Sequence, residues 1–240
     1  MRKGSVWQAV PSLLTTANLF CGFYGIIAAL GEEFYRAAIA ILVAVVFDGL
    51  DGKVARLTKT TSSFGVEYDS LADLLSFGVA PSLILYLWAL EPVGRFGWLA
   101  AFIFLSCGAL RLARFNVQVS QTSGFHFTGL PIPAAAGLVA SLILLGKEFI
   151  SFAEPEPLMV LGVACLLALL MVSNIKYRSF KNMRLKRRHP NLLLLLLIPM
   201  FALMVKPELL IFAVFVVYIV SGPVEQMVAH HRVVRESRAH

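Results

Sequence analysis

Apolar residues in this chain fall in long blocks separated by short polar segments, a pattern that sets the expected elements before any composition is counted. A helix crosses a bilayer with about 20 mainly apolar residues, within a range of about 17–25. Eight blocks qualify as predicted spans: 11–30, 34–57, 70–90, 96–116, 131–145, 157–175, 192–205 and 209–228. The fifth and seventh are short and fit with tilt or local thinning of the bilayer. The first follows a short N-terminus carrying Arg2 and Lys3 and has no small-residue cleavage pattern at its end. It is expected to be a span and not a removed signal peptide. The expected architecture is all-α: one membrane-embedded domain over residues 1–240 with about eight transmembrane helices.

Charge then gives the helices a direction. Eight spans place both termini on one side. That side carries Arg2, Lys3, Lys53, Arg56, Lys59, Arg111, Arg114, seven residues within 176–188, and Arg232, Arg235 and Arg238, which is 17 of the 21 Lys and Arg. Arg36, Arg95, Lys147 and Lys206 remain for the other. Short loops rich in Lys and Arg stay cytoplasmic, so the chain is predicted to lie in the cell (cytoplasmic) membrane with both termini inside. Composition agrees: 58% of residues are hydrophobic and 15% charged, against about 45–50% and 25% in soluble domains. The basic run 176–188 abuts a span without a soluble module. Topology and attraction to anionic membrane lipids account for it, and no nucleic acid partner is expected. Cys21, Cys107 and Cys165 are odd in number and widely spaced, so neither a disulfide framework nor a zinc site is expected.

Chemistry concentrates between the second and third spans, in FDGLDGKVARLTKTTSSFGVEYDSLAD, residues 47–73. A lone Asp at a helix centre costs about 2.5–3.5 kcal/mol on insertion scales, and less near the interface. Asp48 and Asp51 close the second span; Asp69 and Asp73 open the third. The pairs are spaced i, i+3 and i, i+4, so each shares a helix face. Two antiparallel helices joined by a polar turn bring four carboxylates together just inside the cytoplasmic face. Such a cluster recruits cations, and all-oxygen ligands suit hard ions, Mg²⁺ or Mn²⁺. Two of them would clamp a diphosphate. Gly49, Gly52 and Gly65 allow close approach of a ligand; Ala55 keeps the adjacent face small, and Arg56 offers a phosphate a bidentate partner. Spacing alone also fits a polar network or an ion pathway in a transporter, although the aspartates all sit at one level and no polar track continues to the outer face.

The segment resembles the signature of the CDP-alcohol phosphatidyltransferases, D-x2-D-G-x2-A-R-x8-G-x3-D-x3-D, with Asp48, Asp51, Gly52, Ala55, Arg56, Gly65, Asp69 and Asp73 all in register. The resemblance implies a helical membrane fold, assembly as a homodimer, a site open to the cytoplasm, and cleavage of a CDP-linked substrate with release of CMP. It further implies that Asp48, Asp51, Asp69 and Asp73 surround two metal ions, with Asp73 as catalytic base. Gly52 and Gly65 would face the nucleotide and Arg56 the diphosphate.

Segments outside the signature bear on the acceptor. PSLLTTANLFCGF at 11–23, EYDSLADLLSFGVAPS at 67–82, RLARFN at 111–116, FTGLPIPAAAG at 127–137 and YRSFK at 177–181 are similar to those of the integral-membrane CDP-diacylglycerol–serine phosphatidyltransferases, with Ser12 where an Asn is expected. The substrates implied are CDP-diacylglycerol and L-serine; glycerol 3-phosphate and inositol are the alternative acceptors. Serine brings a carboxylate, which arginine is shaped to hold. At least one of Arg111 and Arg114, spaced i, i+3, is expected to do so, with Asn116 as a neighbouring donor and Glu67 for the ammonium. The same arginines would also serve as topology markers. Asn18 fits either a helix–helix hydrogen bond or a contact to the diphosphate. His126 reads as a loop surface residue, and Pro131 and Pro133 as a helix start.

Overall fold

A computed structural model describes residues 4–58, 62–121, 127–149, 155–177 and 206–237. The predicted span at 192–205, His126 and most of the basic run 176–188 lie outside the described residues.

The chain is helical where the sequence is apolar. Helix α1 (Gly4–Leu30) turns through Gly31–Glu33 into α2 (Phe34–Thr58). Helix α3 (Ser63–Asp73) runs on without a break through a π-helical stretch (Leu74–Val79), α4 (Ala80–Leu85), a second π-helical stretch (Tyr86–Leu90) and a 3-10 turn (Glu91–Val93). Helices α5 (Arg95–Gln121), α6 (Ile132–Phe149), α7 (Pro157–Val172) and α8 (Pro207–Ser237) follow. Strands β1 (Phe127–Thr128) and β2 (Lys176–Tyr177) pair antiparallel, Phe127 opposite Tyr177 and Thr128 opposite Lys176.

Among the described residues four stretches are long and apolar enough to cross a membrane: Val10–Leu30, Ser63–Val93, Arg95–Gln118 and Pro207–Met227. Ile132–Gly146 and Pro157–Val172 are shorter apolar helices. Helix α2 covers the second predicted span, but its second half carries Asp48, Asp51, Lys53 and Arg56. The third span begins earlier than expected, because Ser62 caps it. The Ser62 Oγ accepts from the Gly65 N–H at 3.0 Å, satisfying a donor that a helix start leaves unpaired. Gly65 therefore stands in the first turn and not ahead of the helix.

Small residues set the helix spacing. Ala28, Ala29, Ala37, Ala38, Ala40 and Ala44 are buried on α1 and α2, and Ala134, Ala135, Ala136 and Ala140 on α6. In lipid, where apolar contact alone does not drive association, close backbone approach does this work. Helix α1 packs along α2, α2 on α6, α6 on α8, and α5 on α7. The first π-helical stretch sits between α1 and α5, with Phe77 fully buried. There the approach is close: a Cβ on Gly22 would stand 2.6 Å from the Ser76 Cα. Large apolar side chains such as Phe20, Phe23, Phe96, Phe102, Val214 and Val217 face outward, as a bilayer-embedded surface requires. The protein is an all-α, multi-span membrane protein.

Candidate active site

Asp48 and Asp51 leave α2 one helical turn apart and meet Asp69 from α3. One carboxylate oxygen from each lies within 4.8 Å of the others. Asp51 is 3% exposed, and the Thr15 hydroxyl stands 3.0 Å from its Oδ2. That hydroxyl is also 3.0 Å from the Pro11 carbonyl, and its single proton serves one acceptor at a time. The Asp69 Oδ1 is buried without a hydrogen-bond partner. A buried carboxylate oxygen left unpaired is costly, so this atom is placed for a ligand. Three carboxylates this close, one of them with an orphaned oxygen, fit a hard divalent cation.

Asp73, one turn beyond Asp69, is buried within Coulombic reach of the other three aspartates. The Asn18 Nδ2 donates to its Oδ1 at 3.2 Å, and the Asn18 Oδ1 is buried without a partner. Asn18 is itself fixed: the Ser76 hydroxyl donates to its carbonyl at 3.0 Å. This contact comes from the π-helical stretch directly after Asp73. Wide turns of this kind recur at functional sites, and here one accompanies the close seating of Ser76 on Gly22.

The remaining signature residues stand on the same two helices as the aspartates. Gly52 and Ala55 are half-buried and Arg56 is exposed. A Cβ on Gly52 would stand 3.4 Å from the Arg56 Nη1, so the glycine leaves room for the guanidinium one turn ahead to lie along α2. Gly49 faces open space. Gly65 is held by the Ser62 cap.

The residues proposed for the acceptor separate. Arg111 is 8% exposed, within Coulombic reach of Asp48 and Asp73, with its guanidinium carbon 5.3 Å from the centre of the Phe115 ring. Arg114 is exposed and donates to the Asn174 Oδ1 at 2.6 Å. Positions i, i+3 stand about 60° apart around a helix, enough to put one arginine in the seam and the other at its rim. Asn116 bonds to the Ser70 hydroxyl at 2.9 Å, tying α5 to α3 beside Asp69. Glu67 is exposed on α3.

Thr15, Ser76 and two tyrosines were not singled out from sequence. Thr15 stands i, i+3 from Asn18 on α1, a spacing that could have flagged it. Tyr218 of α8 lies within Coulombic reach of Arg111, and its ring packs on Tyr177 with centroids 5.8 Å apart. Burial, then the neighbouring Tyr218, push the Tyr177 phenol up to about 12, so at neutral pH it remains a hydroxyl and donates to the Ile219 carbonyl at 3.3 Å. No sequence signal links these positions across 42 residues. Among the described residues all three cysteines are free.

Comparison with known proteins agrees with the geometry. The family model for CDP-alcohol phosphatidyltransferase matches residues 8–173. A CDP-diacylglycerol–serine O-phosphatidyltransferase of Helicobacter pylori strain J99 is 44% identical over 174 residues, 72% of this chain and 73% of that protein. The Bacillus subtilis protein of the same name is 37% identical over 173 residues, 72% of this chain and 92% of its own. An archaetidylserine synthase of Methanothermobacter thermautotrophicus is 37% identical over 184 residues, 76% of this chain and 75% of its own. The match contains every residue of the aspartate cluster, and the chain belongs to the CDP-alcohol phosphatidyltransferase family.

Proposed function

We propose that this chain transfers the phosphatidyl group of CDP-diacylglycerol to the hydroxyl of L-serine and releases CMP, at a site on the cytoplasmic face of the membrane. The observation that carries the reading is the convergence of Asp48, Asp51 and Asp69 beside a buried Asp73–Asn18 pair. It occurs in a chain whose relatives bear the name of this activity at 37–44% identity.

Asp48, Asp51 and Asp69 would hold divalent cations, Mg²⁺ or Mn²⁺, whose chemistry when bound is to withdraw charge from the diphosphate and stabilise the leaving CMP. The chain's own groups do the rest. Arg56, at the open end of α2, meets the outer phosphate oxygens. Asp73 takes the proton of the attacking hydroxyl. The Asn18 amide holds one of its oxygens and leaves the other to receive the proton. The hydroxyl oxygen forms the new bond to the phosphorus carrying the lipid, the bond from that phosphorus to CMP breaks, and the proton passes from Asp73 to solvent. Positioning and electrostatics carry most of the rate in such transfers. Arg111, drawn to the wall of the cluster by Asp48 and Asp73, holds the serine carboxylate; Arg114 is engaged outside with Asn174.

The test is CMP release by the full chain in membranes supplied with CDP-diacylglycerol, Mg²⁺ or Mn²⁺, and in turn L-serine, glycerol 3-phosphate, inositol or ethanolamine. Serine should support turnover and ethanolamine, which lacks the carboxylate, should not. EDTA should abolish turnover and added metal restore it. A better rate with glycerol 3-phosphate would remove serine while leaving the family chemistry; undiminished turnover after thorough chelation would remove the metal.

A further inference from the structure

Helix α1 lies outside the aspartate signature, yet one of its faces meets the site three times. Thr15, Asn18 and Gly22 stand at i, i+3 and i+7, the spacing of a single helix face. The Thr15 hydroxyl is 3.0 Å from the Asp51 Oδ2. The Asn18 Nδ2 donates to the Asp73 Oδ1 at 3.2 Å. Gly22 receives Ser76 of the first π-helical stretch.

Asn18 is the middle of this face and is fully buried. Its side-chain oxygen has no partner, and enclosing a polar atom in that way is costly. An apolar side chain would fill the same seam without that cost, so packing alone does not account for an asparagine here. What the asparagine adds is the donor on Asp73. An amide held at one end only can turn about its side-chain bonds, so where its nitrogen points depends on how the backbone beneath it is held.

Ser76 holds that backbone. Within the helix the carbonyl of residue 18 accepts the N–H of residue 22, and it keeps a second lone pair. The Ser76 hydroxyl donates to this carbonyl at 3.0 Å. Ser76 is fully buried, and it reaches the carbonyl because residue 22 has no side chain. A Cβ there would stand 2.6 Å from the Ser76 Cα and collide with the hydroxyl. Ser76 follows Asp73 by three residues, inside the π-helical stretch Leu74–Val79. The segment that carries the base therefore also carries the group that fixes the partner of the base, and the contacts close a loop from Asp73 through Asn18 and Ser76 back to Asp73.

We propose that Ser76 is a positioning residue for Asp73: acting through Asn18, its hydroxyl holds the carboxylate in the orientation in which the second oxygen meets the attacking hydroxyl. Asn18 then works through that carboxylate and not on the diphosphate. The inference rests on the reading of Asp73 as the base, given above. It adds α1 and the widened turn after Asp73 to a machinery whose signature lies wholly on α2 and α3.

The experiment measures CMP release by the full-length chain, with serine and CDP-diacylglycerol varied separately, for wild type, Ser76→Ala, Asn18→Ala and the double variant. Ser76→Ala should lower kcat about tenfold, the upper scale of one neutral hydrogen bond, with both KM values within about twofold. Asn18→Ala should lower kcat at least as far. In the Asn18→Ala background Ser76→Ala should change kcat by less than about twofold, because the group it orients has gone. The melting temperature should respond differently and fall by the same amount in both backgrounds, since the carbonyl that Ser76 bonds belongs to the main chain and remains. A kcat for Ser76→Ala within about twofold of wild type would overturn the proposal. So would an equal loss of kcat in both backgrounds, which would make Ser76 a packing residue, and so would a loss confined to the KM for CDP-diacylglycerol. Ser76→Cys, close in size with a weaker donor, carries the same comparison if the alanine variant does not fold, and an unchanged kcat there overturns the proposal equally. If the wild-type chain releases no CMP, the functional reading fails and this inference with it; if wild type turns over and the kcat effect is absent, the inference alone fails.

Discussion

The two ends of the helical bundle handle negative charge in opposite ways. At the turn between α1 and α2, Glu33 lies 2.6 Å from Arg36, one turn along, and both side chains are open to solvent, 47% and 63% exposed. The pair neutralises itself in water. At the other end of α2, Asp48, Asp51 and Asp69 crowd within 4.8 Å. Among the described residues no Lys or Arg is seen in a salt bridge with them. An exposed pair contributes little to stability or function, because water screens it and side-chain entropy opposes it. A part-buried group of like charges that outnumbers the one arginine near it persists only where something else supplies the missing positive charge. The difference separates a charge pair that belongs to the surface from a charge cluster that belongs to a ligand.

Substitutions test this contrast most strongly at the cluster. Asp73→Asn should keep CDP-lipid binding and lose at least about 10²-fold in turnover, the lower scale for a positioned acid–base group. Asp51→Asn should lose as much and recover in part as Mg²⁺ or Mn²⁺ is raised, since it removes a ligand and not the base. Near-normal turnover by Asp73→Asn would transfer the base role elsewhere. A smaller effect should divide the two arginines of α5. Arg111→Lys keeps charge and loses the two-pronged geometry, so serine KM should rise about tenfold while the KM for CDP-lipid holds. Arg114→Lys, at the rim on Asn174, should leave serine KM within about twofold. The reverse ranking would move the carboxylate site to the rim. The smallest effect belongs to the outer turn. Glu33→Gln should change neither turnover nor melting temperature, and a clear loss of either would show that this end is coupled to the site.

The aspartate cluster was legible because its signal is local. Asp48 and Asp51, and Asp69 and Asp73, sit at helical spacing within 26 positions, and two helices joined by a short turn have little choice but to face each other. The long apolar blocks were legible for a similar reason: a bilayer demands helices of a minimum length whatever they pack against. The helix starts were less so. Asp69 was expected near the beginning of the third span, yet Ser62 caps that helix well ahead of it. A serine in a run of Thr and Ser gives several possible caps, and only the hydrogen bond to Gly65 selects one.

What sequence by itself determined was therefore the membrane-spanning, all-α architecture and the convergence of carboxylates from two neighbouring helices, because these follow from hydrophobic length and helical spacing. Tertiary structure alone decided which arginine enters the seam. It also brought Thr15 to Asp51, seated Asn18 against Asp73 through Ser76, and placed Tyr218 of α8 near Arg111 of α5. These contacts join helices far apart in the chain. Their partners are fixed by how closely helices approach, as where Gly22 meets Ser76, and that distance is a property of packed helices with no local pattern in the sequence to announce it.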